Sequence, residues 1–169
     1  MRWVLLLRAV NVGGNNTVPM KDLTALLTEL GHGDVKTFLN TGNATFTSAK
    51  RSAAPLVREV EKGLRARLGV DVRAWIGSES DVRAVLDDLP ELPGYVTCNV
   101  LFDRPSPAAL KAFLDTDWAP EHVAGTQRAV YVGYVHAGKT KLTNATLEKA
   151  LGVSATARTP ATLGKLLTS

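Results

Sequence analysis

The sequence predicts an α+β fold made of two related halves, each a sheet with helices packed on one face. Three observations support this: apolar runs that alternate as in strands, apolar stripes at helical spacing, and glycine or proline between them. A chain of 169 residues, 45% of them hydrophobic, is long enough to bury a core. We expect a ferredoxin-like half at 1–78 and a second α/β half at 79–169, joined as one compact unit.

The first half begins with an apolar run from Arg2 to Arg8, which predicts a buried strand. A polar loop with two glycines, Asn11 to Asn16, follows this strand. Thr17 as a cap and Pro19 in the first turn then predict a helix whose leucines recur at helical spacing up to Leu30.

The rest of the first half predicts a hairpin, a helix and a strand. Segments 35–40 and 44–47 flank Thr41-Gly42-Asn43, a turn in which glycine permits positive φ. A helix from Ser52 to Gly69 and a strand over residues 70–76 complete a βαββαβ order. That order suits a ferredoxin-like sheet with both helices on one face.

The second half repeats this pattern loosely and ends in two short helices. Its strand over residues 95–102 places Cys98 on an apolar face, so this cysteine is interpreted as a core residue. The other predicted elements are a helix over 81–89, a helix from Ser106, strands near 121–125 and 128–135, a helix capped by Thr143 or Asn144, and a helix begun by Thr159-Pro160.

The formal charge of +4 is unevenly distributed along the chain. Residues 1–50 carry five Lys/Arg against three Asp/Glu, residues 51–127 nine against twelve, and residues 128–169 six against one. Basic regions attract phosphates, nucleic acid or acidic partners, although charge of this size also suits ordinary solubility. The single cysteine excludes an internal disulfide, and no apolar run approaches a membrane span. We therefore expect a cytoplasmic protein without a membrane partner.

The stretch GYVHAGKT, residues 133–140, matches the letters of the phosphate-binding P-loop pattern. Its context differs, because Gly133 continues the alternating strand and the helix after Lys139 begins several residues late. No aspartate follows Asp117 to hold a magnesium ion. A turn that carries Lys139 and Lys141 toward a basic rim is the preferred interpretation.

The loop from Arg8 to Asn16 is a better candidate for an anion site. It leads from a strand to a helix, and its glycines, Gly13 and Gly14, permit close backbone approach to a ligand. Asn11 and Asn15 carry amides that can orient the ligand. The alternative is a polar loop whose asparagines satisfy its own backbone.

Catalytic and metal-binding patterns are scarce. The three histidines lack metal-like spacing, and no Ser-His-Asp set or related motif occurs. Tyr131 and Tyr134 lie three apart on a strand and so face opposite ways, which places one of them in the core. We assign no catalytic residue, no metal and no cofactor, and leave enzymatic activity and oligomeric state open.

The segments LLRAVNVGGNNTVPMKDL and LNTGNATF, with the C-terminal KTKLTNATLEKALGVSATARTPATLGKLL, resemble the bacterial domain-of-unknown-function 1697 family. Ala9 stands where the family has glycine, Thr41 where it has serine, and Thr159-Pro160 where it has Asn-Trp. The resemblance implies a fold and candidate positions, without an established activity.

The residues matching the family motifs are rich in phosphate-binding types and come from both chain ends. We expect them to form one basic site, built from both chain ends, that binds a phosphate-bearing ligand, either a nucleotide or a nucleic-acid backbone. The alternatives are an enzyme acting on a small phosphorylated substrate, and a structural or interaction protein without a ligand. The predicted ligand-binding residues are Arg8, Asn11, Gly13, Gly14, Asn15, Asn43, Lys139, Lys141 and Arg158.

Overall fold

The structure is a computed structural model that describes residues 1–169, apart from the side chain of residue 137. It contains two compact units, one formed by Met1–Val82 with Lys165–Ser169 and the other by Arg83–Gly164. Each unit has a four-stranded antiparallel sheet, and the chain has six α-helices, which confirms the α+β fold. Across the described residues, no helix combines the length and apolarity needed to cross a membrane.

The first unit has the predicted βαββαβ order. Its elements are β1 (Arg2–Leu7), α1 (Met20–Glu29), β2 (Gly33–Thr37), β3 (Asn43–Thr47), α2 (Ala53–Leu68), β4 (Ala74–Ser78) and α3 (Glu79–Asp87), the last of which continues past the unit boundary. The strands lie in the order β2-β3-β1-β4, and every pair is antiparallel. Strand β1 is therefore central, with β3 on one side and β4 on the other.

The core of the first unit lies between one face of this sheet and the helices α1 and α2. Trp3, Leu5 and Leu7 of β1 share a buried cluster with residues of both helices, among them Leu27 and Leu56. Val4 and Leu6, which alternate with these residues in β1, are also fully buried. Burial on both faces explains why β1 is a continuous apolar run.

The second unit repeats the topology of the first. Its elements are β5 (Tyr95–Leu101), α4 (Pro107–Asp115), β6 (His122–Gly125), β7 (Ala129–Tyr134), a short 3-10 turn (Ala137–Lys139), α5 (Asn144–Leu151), β8 (Ala155–Arg158) and α6 (Pro160–Leu167), the last of which continues past the unit boundary. The strand order β6-β7-β5-β8 corresponds to β2-β3-β1-β4, with β5 in the central place of β1. Helices α4 and α5 pack on one face around Phe113, Leu147 and Val132. The two halves are thus copies of one arrangement.

Strand β8 was not predicted from the sequence. It has four residues and pairs with β5 from Cys98↔Arg158 to Leu101↔Ala155. The sequence of β8, Ala-Thr-Ala-Arg, has no large apolar residue to reveal its alternation. Pairing with a neighbouring strand, which is a tertiary contact, decides its conformation.

The predicted helix caps agree with the structure at two sites and disagree at one. Ser106 accepts a hydrogen bond from the Ala109 N–H (3.1 Å), and Thr143 accepts one from the Thr146 N–H (3.2 Å). The prediction of Thr17 as a cap was wrong, because α1 begins after Pro19 and has no side-chain cap.

Replacing the glycine in the turn between β2 and β3 should destabilise the protein through a steric clash as well as through backbone strain. A Cβ at Gly42 (φ +86°) would lie 2.7 Å from the Cβ of Leu7, whereas one at Gly13 (φ +62°) would meet no atom within 4 Å. We expect Gly13→Ala to lower the free energy of unfolding by about 1 kcal/mol and Gly42→Ala by about 2–4 kcal/mol. Urea denaturation followed by circular dichroism measures both, and equal losses would contradict the proposed clash.

Candidate functional site

The predicted ligand-binding residues fall into two groups, one in each unit. The first unit contains Arg8, Asn11, Gly13, Gly14, Asn15 and Asn43, and the second contains Lys139, Lys141 and Arg158.

In the first unit, the loop after β1 forms a small hairpin. The Asn15 N–H donates to the Val12 carbonyl (3.2 Å), and the Asn11 N–H donates to the Asn16 carbonyl (3.2 Å). Gly13 and Gly14 have φ of 62° and 78°, and two successive positive values define a type I′ turn. The glycines are therefore required by the turn, and both are exposed together with Asn15.

Asn11 holds this hairpin in place. Its Nδ2 donates to the carbonyls of Val18 (2.9 Å) and Asn40 (2.5 Å), and its Oδ1 accepts the Val18 N–H (2.8 Å). The side-chain amide of Asn11 is thus hydrogen-bonded within the protein. For this residue, the contacts favour the alternative interpretation, in which the asparagines of the loop bond to the protein's own backbone. These three hydrogen bonds pre-organise the tip of the hairpin.

Asn43 has a similar internal role at the β2–β3 turn. It is fully buried, and its Nδ2 donates to the Phe38 carbonyl (2.9 Å) and to Oγ1 of Thr41 (2.7 Å). Its backbone carbonyl accepts the Phe38 N–H (3.1 Å). These contacts close the turn and leave no exposed surface on Asn43 for a ligand.

Arg8 lies opposite a second arginine that sequence reasoning missed. The Arg8 N–H donates to the Arg73 carbonyl (3.0 Å), one step beyond the last β1–β4 pair, Leu7↔Ala74. Arg8 is partly buried and Arg73 is exposed. Like charges directly opposite each other on adjacent strands are destabilising. Only the strand register brings these two residues together, since they are far apart in sequence.

The surroundings of Arg73 contain a surface cavity and a carboxylate. The cavity has a volume of about 410 Å³ and is lined by Glu61, Lys62, Arg65, Asp71, Val72 and Arg73. Burial raises the pKa of Glu61, while the charge of Arg73 and the Ala74 N–H lower it to a smaller extent. The cavity therefore combines an open volume with more basic than acidic side chains.

The second unit provides an internal comparison for the arginine pair. At the equivalent step beyond β5 and β8, the Phe102 N–H donates to the Ser154 carbonyl (2.9 Å). Neither residue is charged. The connection from the central strand to the next helix is also much longer in the first unit, residues 8–19, than in the second, residues 102–106. The topology thus requires neither the arginine pair nor the hairpin.

In the second unit, the segment that matches the P-loop pattern surrounds a carboxylate of the protein itself. The side chain of Glu121 accepts the Val135 N–H at Oε1 (3.1 Å) and the Thr140 hydroxyl at Oε2 (2.6 Å). The Thr140 hydrogen bond, with those from Val135 and His136, lowers the pKa of Glu121 although burial opposes this. Thr140 is therefore engaged by an internal anion.

Gly133 lies inside strand β7, as the alternating pattern predicted. A Cβ on Gly133 would approach the Pro93 carbonyl oxygen to 2.2 Å, so a close backbone contact requires glycine there. This role differs from that of a P-loop glycine, which lies in a loop around phosphates.

The three predicted basic residues of the second unit differ in exposure. Lys139, at the end of the 3-10 turn, and Lys141 are exposed. Arg158 is only 8% exposed, and its Nη1 donates to Oγ1 of Thr156 (2.6 Å) and to the Ala157 carbonyl (2.9 Å). Burial lowers the pKa of Arg158 to about 10. The lysines are thus the more accessible cations.

His32 and Tyr131 have partners inside the protein. His32 is buried and its Nε2 lies 2.7 Å from Oε1 of Glu59, which also pairs with Lys50. Tyr131 is the core tyrosine of the predicted pair, and its hydroxyl donates to the Val85 carbonyl (2.5 Å). Within the described residues, no cluster of three or more His, Cys, Asp or Glu side chains is arranged to hold a metal ion.

Comparison with known proteins agrees with the sequence resemblance. The family model DUF1697, described as a protein of unknown function, matches residues 1–131. The chain belongs to this family. No curated protein matched it.

The DUF1697 chain is also similar to a solved structure, that of the conserved bacterial protein SP0830 from Streptococcus pneumoniae. The TM-score is 0.77 at 24% sequence identity, and the match covers 99% of this chain and 97% of the other. At this identity the similarity supports the fold alone.

The environment of Glu121 predicts a pH dependence of stability. Because its pKa is lowered from the ordinary 4.5, its contribution is complete above about that value and is lost as pH falls through the folded pKa. We expect Glu121→Gln to be less stable at pH 7 and to lose less stability between pH 5 and 3. Urea denaturation at several pH values measures this, with the exposed Glu91→Gln as a control. Identical curves for Glu121→Gln and wild type would contradict the prediction.

Cys98 is predicted to be chemically inert in the folded protein. It is fully buried, and desolvation of the thiolate raises its pKa to about 11. We expect a thiol reagent at pH 8 to modify the native protein roughly a hundredfold more slowly than the urea-unfolded protein. A Cys98→Ala variant gives the background. Rapid modification of the native protein would contradict core placement.

Proposed function

We propose that this protein binds a phosphate-bearing ligand at the end of the first sheet, where Arg8 and Arg73 lie opposite each other. The arginine pair carries this proposal. The two arginines lie one residue beyond the paired ends of β1 and β4, and their guanidinium groups are planar, permanently charged donors suited to phosphate oxygens. Because the second unit has Phe102 and Ser154 at the equivalent step, the fold does not require the pair.

The electrostatics of the pair favour a bound anion. Two permanently charged residues at opposite positions of neighbouring segments attract an anion, and the charge of Arg73 also lowers the pKa of the nearby Glu61. A phosphate between them would gain charge-assisted hydrogen bonds.

The hairpin of residues 11–16 supplies a second set of donors. A Cβ at Gly13 or Gly14 would meet no atom within 4 Å, so both glycines border open solvent. Since Asn11 anchors the hairpin by three hydrogen bonds, ordering it on binding costs little entropy. Contacts from its exposed backbone N–H groups would add to those of the arginines.

The ferredoxin-like character of the halves and the location of the protein are two further parts of this proposal. We infer from the βαββαβ order and the strand order β2-β3-β1-β4 that the halves are ferredoxin-like. A cytoplasmic location is proposed on the sequence alone.

The arginine pair predicts a specific binding defect. We expect a nucleoside 5′-monophosphate and inorganic phosphate to bind, and the nucleoside without phosphate not to bind. Arg8→Ala and Arg73→Ala should each weaken binding roughly tenfold or more, because each removes a charge-assisted contact. Isothermal titration calorimetry at low salt measures this.

Arg104→Ala is the matched control, because this exposed arginine lies in the equivalent connection of the second unit. It should leave affinity unchanged. Circular dichroism of each arginine variant verifies that a loss of binding does not reflect unfolding. Absence of binding by every phosphate compound, or unchanged affinity in both arginine variants, would refute the proposal.

A further inference from the structure

Tyr95 is an exposed aromatic residue at the start of the central strand of the second unit. Its exposure is 57%, and it lies directly opposite Tyr134 in the β5–β7 register. Directly opposed side chains lie on the same face of a sheet. The hydroxyl of Tyr134 donates to the carbonyl of Leu142 (3.0 Å), the residue that follows Lys141. Tyr134 therefore connects the strand position of Tyr95 with the loop that carries Lys141.

Three basic side chains lie on the loop that follows β7, which begins directly after Tyr134, the residue opposite Tyr95. His136, Lys139 and Lys141 are all exposed. The loop that carries them is held by Glu121, which is only 6% exposed and accepts hydrogen bonds from the loop at both ends. The basic groups are therefore displayed from a fixed segment rather than a loose one.

Glu121 and Glu148, which flank the loop in sequence, accept internal hydrogen bonds. Glu148 is the only acid among residues 128–169, which carry six Lys/Arg, and its Oε2 accepts the Ala155 N–H (2.9 Å). The exposed charges on the loop itself, residues 135–143, are therefore positive. Such a surface is complementary to a polyanion.

We propose that Tyr95, Lys139 and Lys141 form a binding surface for single-stranded nucleic acid. An unpaired base stacks on the exposed ring of Tyr95, and the phosphates beside it contact the two lysines. Exposed aromatic rings combined with basic groups are the usual basis of single-strand binding, whereas the bases of a duplex are already stacked. This site lies in the second unit and does not depend on the arginine pair of the first.

The test measures fluorescence anisotropy of a labelled twelve-nucleotide thymidine oligonucleotide with the full chain. Tyr95→Ala should weaken binding roughly five- to hundredfold, and Tyr95→Phe, which keeps the ring, should bind like wild type. Lys139→Ala and Lys141→Ala should each reduce the slope of log affinity against log salt by about 0.7. Lys21→Ala, an equal charge change on the first unit, should leave the slope unchanged.

Three results would overturn this assignment. The first is that the oligonucleotide does not bind, and the second is that Tyr95→Ala binds as tightly as wild type. The third is displacement of the oligonucleotide by thymidine monophosphate at an equal nucleotide concentration, which would indicate a mononucleotide site. Circular dichroism of each variant verifies that a loss of binding does not reflect unfolding.

Discussion

The antiparallel pairing of a central strand with two neighbours is the constraint on which the structure depends. In the first unit β1 is buried on both faces and pairs with β3 and β4. A shift of one residue in this register would move every side chain to the opposite face, so the register is strongly specified. The same register decides that Arg8 emerges beside Arg73.

Because the two units have the same topology, comparing them separates the features that the fold requires from the features present in only one unit. The two units share strand order and helix placement, so shared features are explained by packing. The first unit has a long connection over residues 8–19, whereas the second has its long connection over residues 135–143. Each of these long connections carries exposed side chains that do not pack in the core. Both ligand-binding proposals therefore concern positions where the copies differ.

The loop over residues 135–140 shows why a letter match can mislead. A P-loop surrounds phosphate with backbone N–H groups, and here the Val135 N–H and the Thr140 hydroxyl surround the Glu121 carboxylate instead. The physical preference of such a loop for an anion is the same in both cases. Glu121 lies well upstream in sequence, so no local pattern identifies it as the partner.

The sequence by itself determined the α+β class, the order of most elements, the burial of Cys98 and the strand position of Gly133, because alternation and helical spacing are local properties. The sequence identified the loop after β1 as a candidate site, but it did not show which residues of the loop are exposed to a ligand. Only the tertiary structure decided that Asn11 and Asn43 bond internally, that Arg73 faces Arg8, and that β8 is a strand. These outcomes depend on hydrogen bonds and strand register between segments far apart in the chain. They cannot be predicted from the pattern of side chains within one segment.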